Sequence, residues 1–165
     1  MTRTPHVPAP RRSTEEQARL ETELRALFER GIPFNRVIGL EVVSISPAEP
    51  RIRFRMRPEL VGSASHGQLH GGVTAAVLDA TAGFALMTAI GERHADETCA
   101  QLLQRFARMG TIDLRIDYLH RGIGTWFEAG ATVTRLGGRI GSVQMTLHAD
   151  EGTLIATGSA AFVVG

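Results

Sequence analysis

The sequence contains no lysine: all 18 of its basic residues are arginine. Without a lysine side chain the protein cannot form a Schiff base, and it cannot contain the lysine-bearing phosphate loop of many nucleotide-binding proteins. Cysteine occurs once, at Cys99. A single cysteine excludes a disulfide framework and a cysteine-based zinc site, and it fits a reducing compartment. We therefore expect a cytoplasmic protein.

The sequence also has no large excess of charge of either sign. It contains 18 arginines and 17 acidic residues, which gives a net charge of +1. This balance provides no electrostatic reason to expect nucleic acid or a membrane surface as a partner. His6, His94, His120 and His148 lack the spacing of metal ligands, and His66 and His70, four residues apart, have no carboxylate partner. We predict neither a metal nor a cofactor.

The length of 165 residues predicts one domain. Residues 1–12 hold three prolines and no apolar core, so we interpret them as a flexible arm that precedes a single domain over residues 13–165. Ser13 and Glu16 have the spacing of a capping box. Leucines at helical spacing follow, and Gly31 and Pro33 stop the pattern. This predicts an amphipathic N-terminal helix over residues 13–30.

Residues 73–90 form an apolar run whose only charged residue is Asp79. A helix that is apolar on all sides is either buried in a core or inserted in a membrane. The carboxylate, three threonines and the amphipathic segments around the run favour a buried helix. At ~1.5 Å per residue it is ~27 Å long, roughly the diameter of a small domain, so we expect it to run through the core.

Alternating apolar and polar residues predict an antiparallel sheet. Residues 51–57 place four arginines on one face, and residues 111–119 place Ile112, Leu114, Ile116 and Tyr118 on one face. Further strands are predicted over residues 41–46, 125–135, 139–149 and 153–164, and a short surface helix or lid over residues 92–108. The sheet must wrap around the one apolar helix, which gives an α+β fold. Its open face and edges predict self-association.

One group of residues could carry chemistry. Leu69-His70-Gly71-Gly72 directly precedes the buried helix, and Asp79 follows inside it. Free backbone N–H groups at a helix start bind developing negative charge, and glycines let a ligand approach closely. A carboxylate inside an apolar helix is costly unless it is paired or used. The combination favours a functional site over a glycine-rich turn that only caps the helix.

Two segments resemble a known family. LHGGVTAAVLDATAGFALM, followed by GTIDLRIDYLHRG, is similar to the hotdog-fold acyl-CoA thioesterases of the phenylacetate-degradation (PaaI-like) type, and especially to their YigI-like branch. The resemblance extends over residues 33–164. It implies a hotdog fold, an acyl-CoA substrate, and hydrolysis to a free carboxylic acid and coenzyme A.

The resemblance also implies roles for four residues. The Gly71 N–H would polarise the thioester carbonyl, and His70 would shape that end of the site. Asp79 corresponds to the catalytic carboxylate, either as the general base for water or as the nucleophile. Thr111 corresponds to a residue that holds the attacking water. The alternation of its strand, however, places Thr111 opposite Ile112 unless the strand bends at its start.

Substrate contacts are implied as well. Gly72 and Val73 adjoin the carbonyl site, and loops that contain Arg121 and Gly138-Arg139 correspond to the family's nucleotide-binding loops. Arginine suits phosphate there because it binds bidentately. Many relatives carry an asparagine shortly before His-Gly-Gly, where this chain has Ser63-Ala64-Ser65-His66.

The spacing of the two main groups predicts a shared site. Gly71 and Asp79 are eight residues apart, which is ~12 Å along a helix, whereas a carbonyl and its attacking group must approach within ~3–3.5 Å. We therefore expect a homodimer with active sites shared between subunits, assembled further as a dimer of dimers.

Tyr118 and Trp126 are interpreted as core or interface packing. Two other functions remain: an acyl-CoA sensor without activity, and a hotdog hydratase or dehydratase.

Overall fold

A six-stranded antiparallel sheet wrapped around one long helix forms the frame of the protein in a computed structural model that describes residues 11–165. The helices are α1 (Thr14–Ala26, continued by one π-helical turn, Leu27–Gly31), α2 (Pro33–Ile38), α3 (Gly71–Arg93) and α4 (Cys99–Phe106). The strands are β1 (Glu41–Ser44), β2 (Arg51–Arg55), β3 (Val61–Ser63), β4 (Gln68–Leu69), β5 (Gly110–Tyr118), β6 (Trp126–Leu136), β7 (Ile140–Ala149) and β8 (Leu154–Val163).

The strands of the large sheet lie in the order β1-β2-β6-β7-β8-β5, so β5 is an edge strand. Short hairpins connect β6, β7 and β8, as their glycine-containing turns predict. The predicted α+β fold is confirmed. A small hairpin of β3 and β4, preceded by a 3₁₀ turn at Pro58–Leu60, was not predicted because two- and three-residue strands leave no alternation to detect.

Helix α3 is the core of the molecule. Its 23 residues include fully buried Val77, Leu78, Phe84 and Leu86. Among residues 11–165 it is the one helix long and apolar enough to cross a membrane, but 61% of its most apolar window is buried inside the fold. Burial of its apolar surface against the sheet explains the run without a membrane, as the sequence predicts.

The N-terminal helix packs on the same core. Leu24 and Phe28 are buried, and the Phe28 ring meets the edge of Phe84 with the centroids 4.7 Å apart. Only half of the predicted capping box forms. The Ser13 hydroxyl accepts from the Glu16 N–H, but the Glu16 carboxylate accepts from the Cys99 N–H at 2.9 Å and so links α1 to α4.

Arg12, which precedes α1, forms hydrogen bonds with the C-terminal end of α3. Arg12 donates through its guanidinium to the carbonyl oxygens of His94 and Glu97, both at 2.9 Å, and to that of Gly91. These carbonyl groups belong to the end of α3 and the loop after it, where helix carbonyls lack partners of their own. Residues 1–10, most of the predicted flexible arm, lie outside the described residues.

Helix α4 is the short surface helix predicted within residues 92–108. Ala100, Gln101 and Gln104 are exposed on its outer side, while Leu102 and Phe106 are buried and the helix contacts both α1 and α3. Cys99, Leu102 and Phe106 recur at three- and four-residue spacing, which gives this short helix one continuous apolar face. Burial also raises the pKa of the Cys99 thiol.

Candidate active site

The start of α3 is built around His70, which caps the helix with its side chain. The Gly72 N–H donates to His70 Nδ1 at 2.9 Å, so the imidazole proton lies on Nε2. The His70 N–H donates to the Leu60 carbonyl at 2.9 Å. A Cβ on Gly62 would lie 2.7 Å from His70 Cα, so a glycine is required where β3 passes under the helix start.

Gly71 presents the free N–H group of this helix start. The Val73 and Thr74 N–H groups donate to the His70 carbonyl, and the Gly72 N–H is taken by the His70 side chain. Within residues 11–165 no group accepts a hydrogen bond from the Gly71 N–H. The first N–H of a long helix carries partial positive charge, so this group can stabilise an oxygen that becomes negative.

Tyr118 contacts this end of the site, a contact that the sequence does not predict. Its hydroxyl donates to the Gly71 carbonyl oxygen at 2.9 Å. Its ring lies 3.4–3.6 Å from the position that a Cβ on Gly71 would take. The residue is 57% exposed, so the alternative of core packing is wrong, and interface packing stays a prediction. The only signal in the sequence is that this is the one tyrosine of the chain.

The carboxylate of Asp79 is held by Thr111. Thr111 Oγ1 donates to Asp79 Oδ1 at 2.8 Å. Asp79 is half-buried, and no other donor within residues 11–165 reaches this carboxylate. Oδ2 is therefore free to accept a proton from a bound water or to attack a bound carbonyl.

A β-bulge at Ile112 brings Thr111 to this position. Leu114 pairs with Ala160 in regular register, but the pairing shifts between Thr111 and Asp113, so that Thr111 lies opposite the buried Phe162. The extra residue turns Thr111 toward α3 and leaves Ile112 54% exposed. The predicted apolar face is thus wrong at Ile112, and the bend at the strand start does occur.

Strand β5 contacts both Asp79 and Gly71, but at its opposite ends. Thr111 at its start contacts Asp79, and Tyr118 at its end contacts Gly71. We call Gly71, His70 and Tyr118 the donor half of the site, and Asp79 and Thr111 the carboxylate half. Because ~12 Å of helix separates Gly71 from Asp79, one chain does not bring the two halves together.

The predicted substrate-binding residues divide in the same way. Half-buried Val73 and exposed Gly72 belong to the donor half. Exposed Arg121 lies beside it, because the carbonyl of the next residue, Gly122, accepts from the Leu69 N–H at 2.8 Å.

Gly138 and Arg139 lie near the carboxylate half, in the turn between β6 and β7. The Arg139 carbonyl accepts from the Val164 N–H at 2.9 Å, and the preceding Val163 pairs with Gly110 at the start of β5. Both residues are exposed. A single chain therefore does not place Arg121 and Arg139 around one ligand.

A cavity of about 830 Å³ lies elsewhere. It opens on the sheet face away from α3, and none of the predicted site residues lines it. Its wall includes Glu128, which pairs with Arg51 at 3.2 Å and with Arg53 at 2.8 Å, and the Arg53 guanidinium stacks on Trp126. No three His, Cys, Asp or Glu side chains among residues 11–165 are grouped as metal ligands.

Comparison with known proteins agrees with this architecture. Residues 66–156 match the family model of the thioesterase superfamily. Two curated relatives, from Salmonella typhimurium and Escherichia coli, are each named medium/long-chain acyl-CoA thioesterase YigI. Each is 37% identical over 139 residues, which cover 84% of this chain and 90% of the relative.

A crystal structure from Shewanella oneidensis, described as related to the thioesterase superfamily, is similar over the whole fold. It superposes with a TM-score of 0.87 and 35% identity, and the match covers 93% of this chain and 100% of the other. The predicted fold class and family are both confirmed by these matches. The chain therefore belongs to the thioesterase superfamily, and it is a thioester hydrolase with the hotdog fold.

Proposed function

We propose that this protein hydrolyses the CoA thioesters of medium- and long-chain acyl groups, at sites shared between two subunits, to free carboxylic acid and coenzyme A. The observation that carries the proposal is that β5 holds both groups that hydrolysis needs: the free Gly71 N–H and the Asp79 carboxylate. The names of the two curated relatives support the substrate class.

In this proposal the thioester carbonyl oxygen accepts a hydrogen bond from the Gly71 N–H. Asp79 takes a proton from a water that Thr111 helps to hold, as the water oxygen bonds to the carbonyl carbon. The negative charge on the carbonyl oxygen is stabilised at the helix start. Collapse breaks the carbon–sulfur bond, and the coenzyme A thiolate takes the proton from Asp79. If Asp79 instead attacks the carbonyl carbon directly, the coenzyme A thiolate leaves and a mixed anhydride forms. Attack of ¹⁸O-labelled water on the Asp79 carbonyl of this anhydride then puts ¹⁸O in the Asp79 carboxylate, which hydrolysis by a general base does not do.

The shared site follows from the edge position of β5. Antiparallel pairing of β5 with the same strand of a second copy brings the end of one strand beside the start of the other. The donor half of one subunit then lies next to the carboxylate half of its partner. Arg121 of one subunit and the partner subunit's Arg139 come to the same side, as binding of one coenzyme A requires.

The proposal includes a dimer of dimers and a cytoplasmic location. The sheet face away from α3 carries both signs of charge, with Arg51, Arg53 and Arg115 beside Glu128 and Asp117. Such a face can pair with itself around a two-fold axis. Light scattering coupled to gel filtration measures the assembly: a mass of four chains supports the proposal, and a mass of one chain contradicts the shared site.

The function is tested by coenzyme A release from a panel of acyl-CoA substrates of increasing chain length, with the acid product identified by mass spectrometry. We expect release to be fastest with medium and long chains. Tight binding without release indicates a sensor. Loss or gain of water on the acyl chain with the thioester intact indicates a hydratase or dehydratase.

Gly71→Pro removes the N–H group assigned to the carbonyl oxygen. The backbone tolerates it, because proline is favoured at the first helical position and His70, with φ −67° and ψ 134°, has the conformation that precedes proline. We expect kcat to fall on the order of 10²–10³-fold. Gly71→Ala keeps the N–H and adds a methyl at ordinary contact distance from Tyr118, so it should cost much less. Equal losses in both variants would assign Gly71 a steric role only.

Thr111→Val removes the hydroxyl that donates to Asp79 and preserves the shape of the side chain. We expect kcat to fall by about 10-fold, because the carboxylate loses its orienting hydrogen bond. Thr111→Ser retains the hydroxyl and should recover most of the rate. The kinetics of both variants are compared under the same conditions, and a Thr111→Val enzyme as fast as wild type contradicts the role.

A further inference from the structure

We propose that Tyr118 is a positioning residue for the thioester-binding end of the site, acting through the peptide group that joins Gly71 to Gly72. This inference rests on the role proposed above for Gly71. The peptide is held on both of its polar sides. Its carbonyl accepts from the Tyr118 hydroxyl at 2.9 Å, and its N–H donates to His70 Nδ1 at 2.9 Å.

A helix that starts with two glycines needs such a restraint. Glycine has more conformational freedom than any other residue, and the first turn of a helix frays because its N–H groups lack partners within the helix. Gly71 and Gly72 carry no side chains that could anchor the turn. Tyr118 ties this turn to β5, and the direction of the Gly71 N–H depends on the turn remaining in place.

The same peptide also sets the orientation of His70. Because the Gly72 N–H occupies Nδ1, the ring is kept as the tautomer with its proton on Nε2. A shift of the peptide therefore displaces both the helix N–H donor and the imidazole that caps it. One tyrosine hydroxyl thus acts on two groups of the donor half without touching the reacting atoms.

Tyr118 contributes little to the core of its own chain, because the residue is 57% exposed. The ring lies 3.4–3.6 Å from the position that a Cβ on Gly71 would take. Within residues 11–165 the hydroxyl has no hydrogen-bond partner besides the Gly71 carbonyl.

The test compares wild type with Tyr118→Phe, which retains the ring and loses the hydroxyl. In ¹⁵N-glycine-labelled protein, we expect the Gly72 amide proton to shift and its protection from hydrogen exchange to fall several-fold. With acyl-CoA we expect kcat to drop by about 10-fold and KM to stay within about twofold. Removing one preorganised hydrogen-bond donor lowers the rate by ~10²–10³-fold, and Tyr118→Phe misaligns the Gly71 N–H without removing it.

Thr22→Val is the matched control. Thr22 Oγ1 donates to the Ala18 carbonyl at 2.8 Å from an exposed position on α1, so this variant removes a similar bond on a helix that carries none of the predicted site residues. It should leave kcat, KM and the Gly72 resonance unchanged.

Three results would overturn the proposal. If Tyr118→Phe has a higher KM than wild type at unchanged kcat, Tyr118 is a substrate contact. If kcat and KM both equal those of wild type, the hydroxyl plays no part in turnover. If the chemical shift and hydrogen exchange of the Gly72 amide are unchanged, Tyr118 does not act through the peptide. If wild type releases no coenzyme A, the proposed function fails instead. The amide measurement on the free protein still decides the positioning role in that case.

Discussion

Asp79→Asn is expected to lower kcat on the order of 10²–10⁴-fold, the usual contribution of a general base, and to leave the fold intact. Asparagine has the shape of aspartate, and its amide oxygen can still accept from Thr111 Oγ1, which lies 2.8 Å from Asp79 Oδ1. The substitution removes the negative charge and the ability to take a proton from water. Steady-state kinetics and thermal unfolding, measured on the same samples, separate the two effects.

Asp96→Asn serves as the control for this substitution. Asp96 is exposed and follows the C-terminal end of α3, so the same chemical change there should not alter turnover. An Asp79→Asn enzyme with nearly normal turnover contradicts the assignment of Asp79. If that variant is inactive but still binds acyl-CoA as tightly as wild type, the carboxylate acts in the chemical step and not in binding.

The large elements of the fold could be predicted because each has a strong periodic signal. The apolar run of residues 73–90 lies within α3, and the alternation of Ile52 and Phe54 corresponds to a strand in which both side chains are fully buried. Long-range contacts set the details. The expected capping box is incomplete because the Glu16 carboxylate accepts instead from the Cys99 N–H, 83 residues away.

In the candidate site, too, residues with a local sequence signal could be predicted, and contacts between distant residues could not. His70, Gly71 and Asp79 could be predicted because a glycine-rich helix start and a charge inside an apolar helix are unusual locally. The contact of Thr111 with Asp79 depends on a bulge at Ile112, which an unbroken alternation conceals. The contact of Tyr118 cannot be predicted, because nothing in the local pattern indicates that its hydroxyl reaches the Gly71 carbonyl, 47 residues away.

The shared site makes a prediction about mixed dimers. We expect inactive Asp79→Asn chains and inactive Gly71→Pro chains to recover activity when they are refolded together. A heterodimer contains one site in which the intact Gly71 of one subunit meets the partner subunit's intact Asp79, and one site in which both groups are altered. Random pairing makes half of the dimers mixed, so recovery should reach roughly a quarter of wild-type activity.

The reciprocal mixture distinguishes shared sites from sites within one chain. A chain that carries both substitutions, paired with a wild-type chain, places one defect in each shared site. Heterodimers isolated through two different affinity tags should then be inactive, whereas sites contained within one chain would leave them half as active as wild type. Activity in this heterodimer, together with none in the mixture of single variants, would show that each chain forms its own site across the ~12 Å between Gly71 and Asp79.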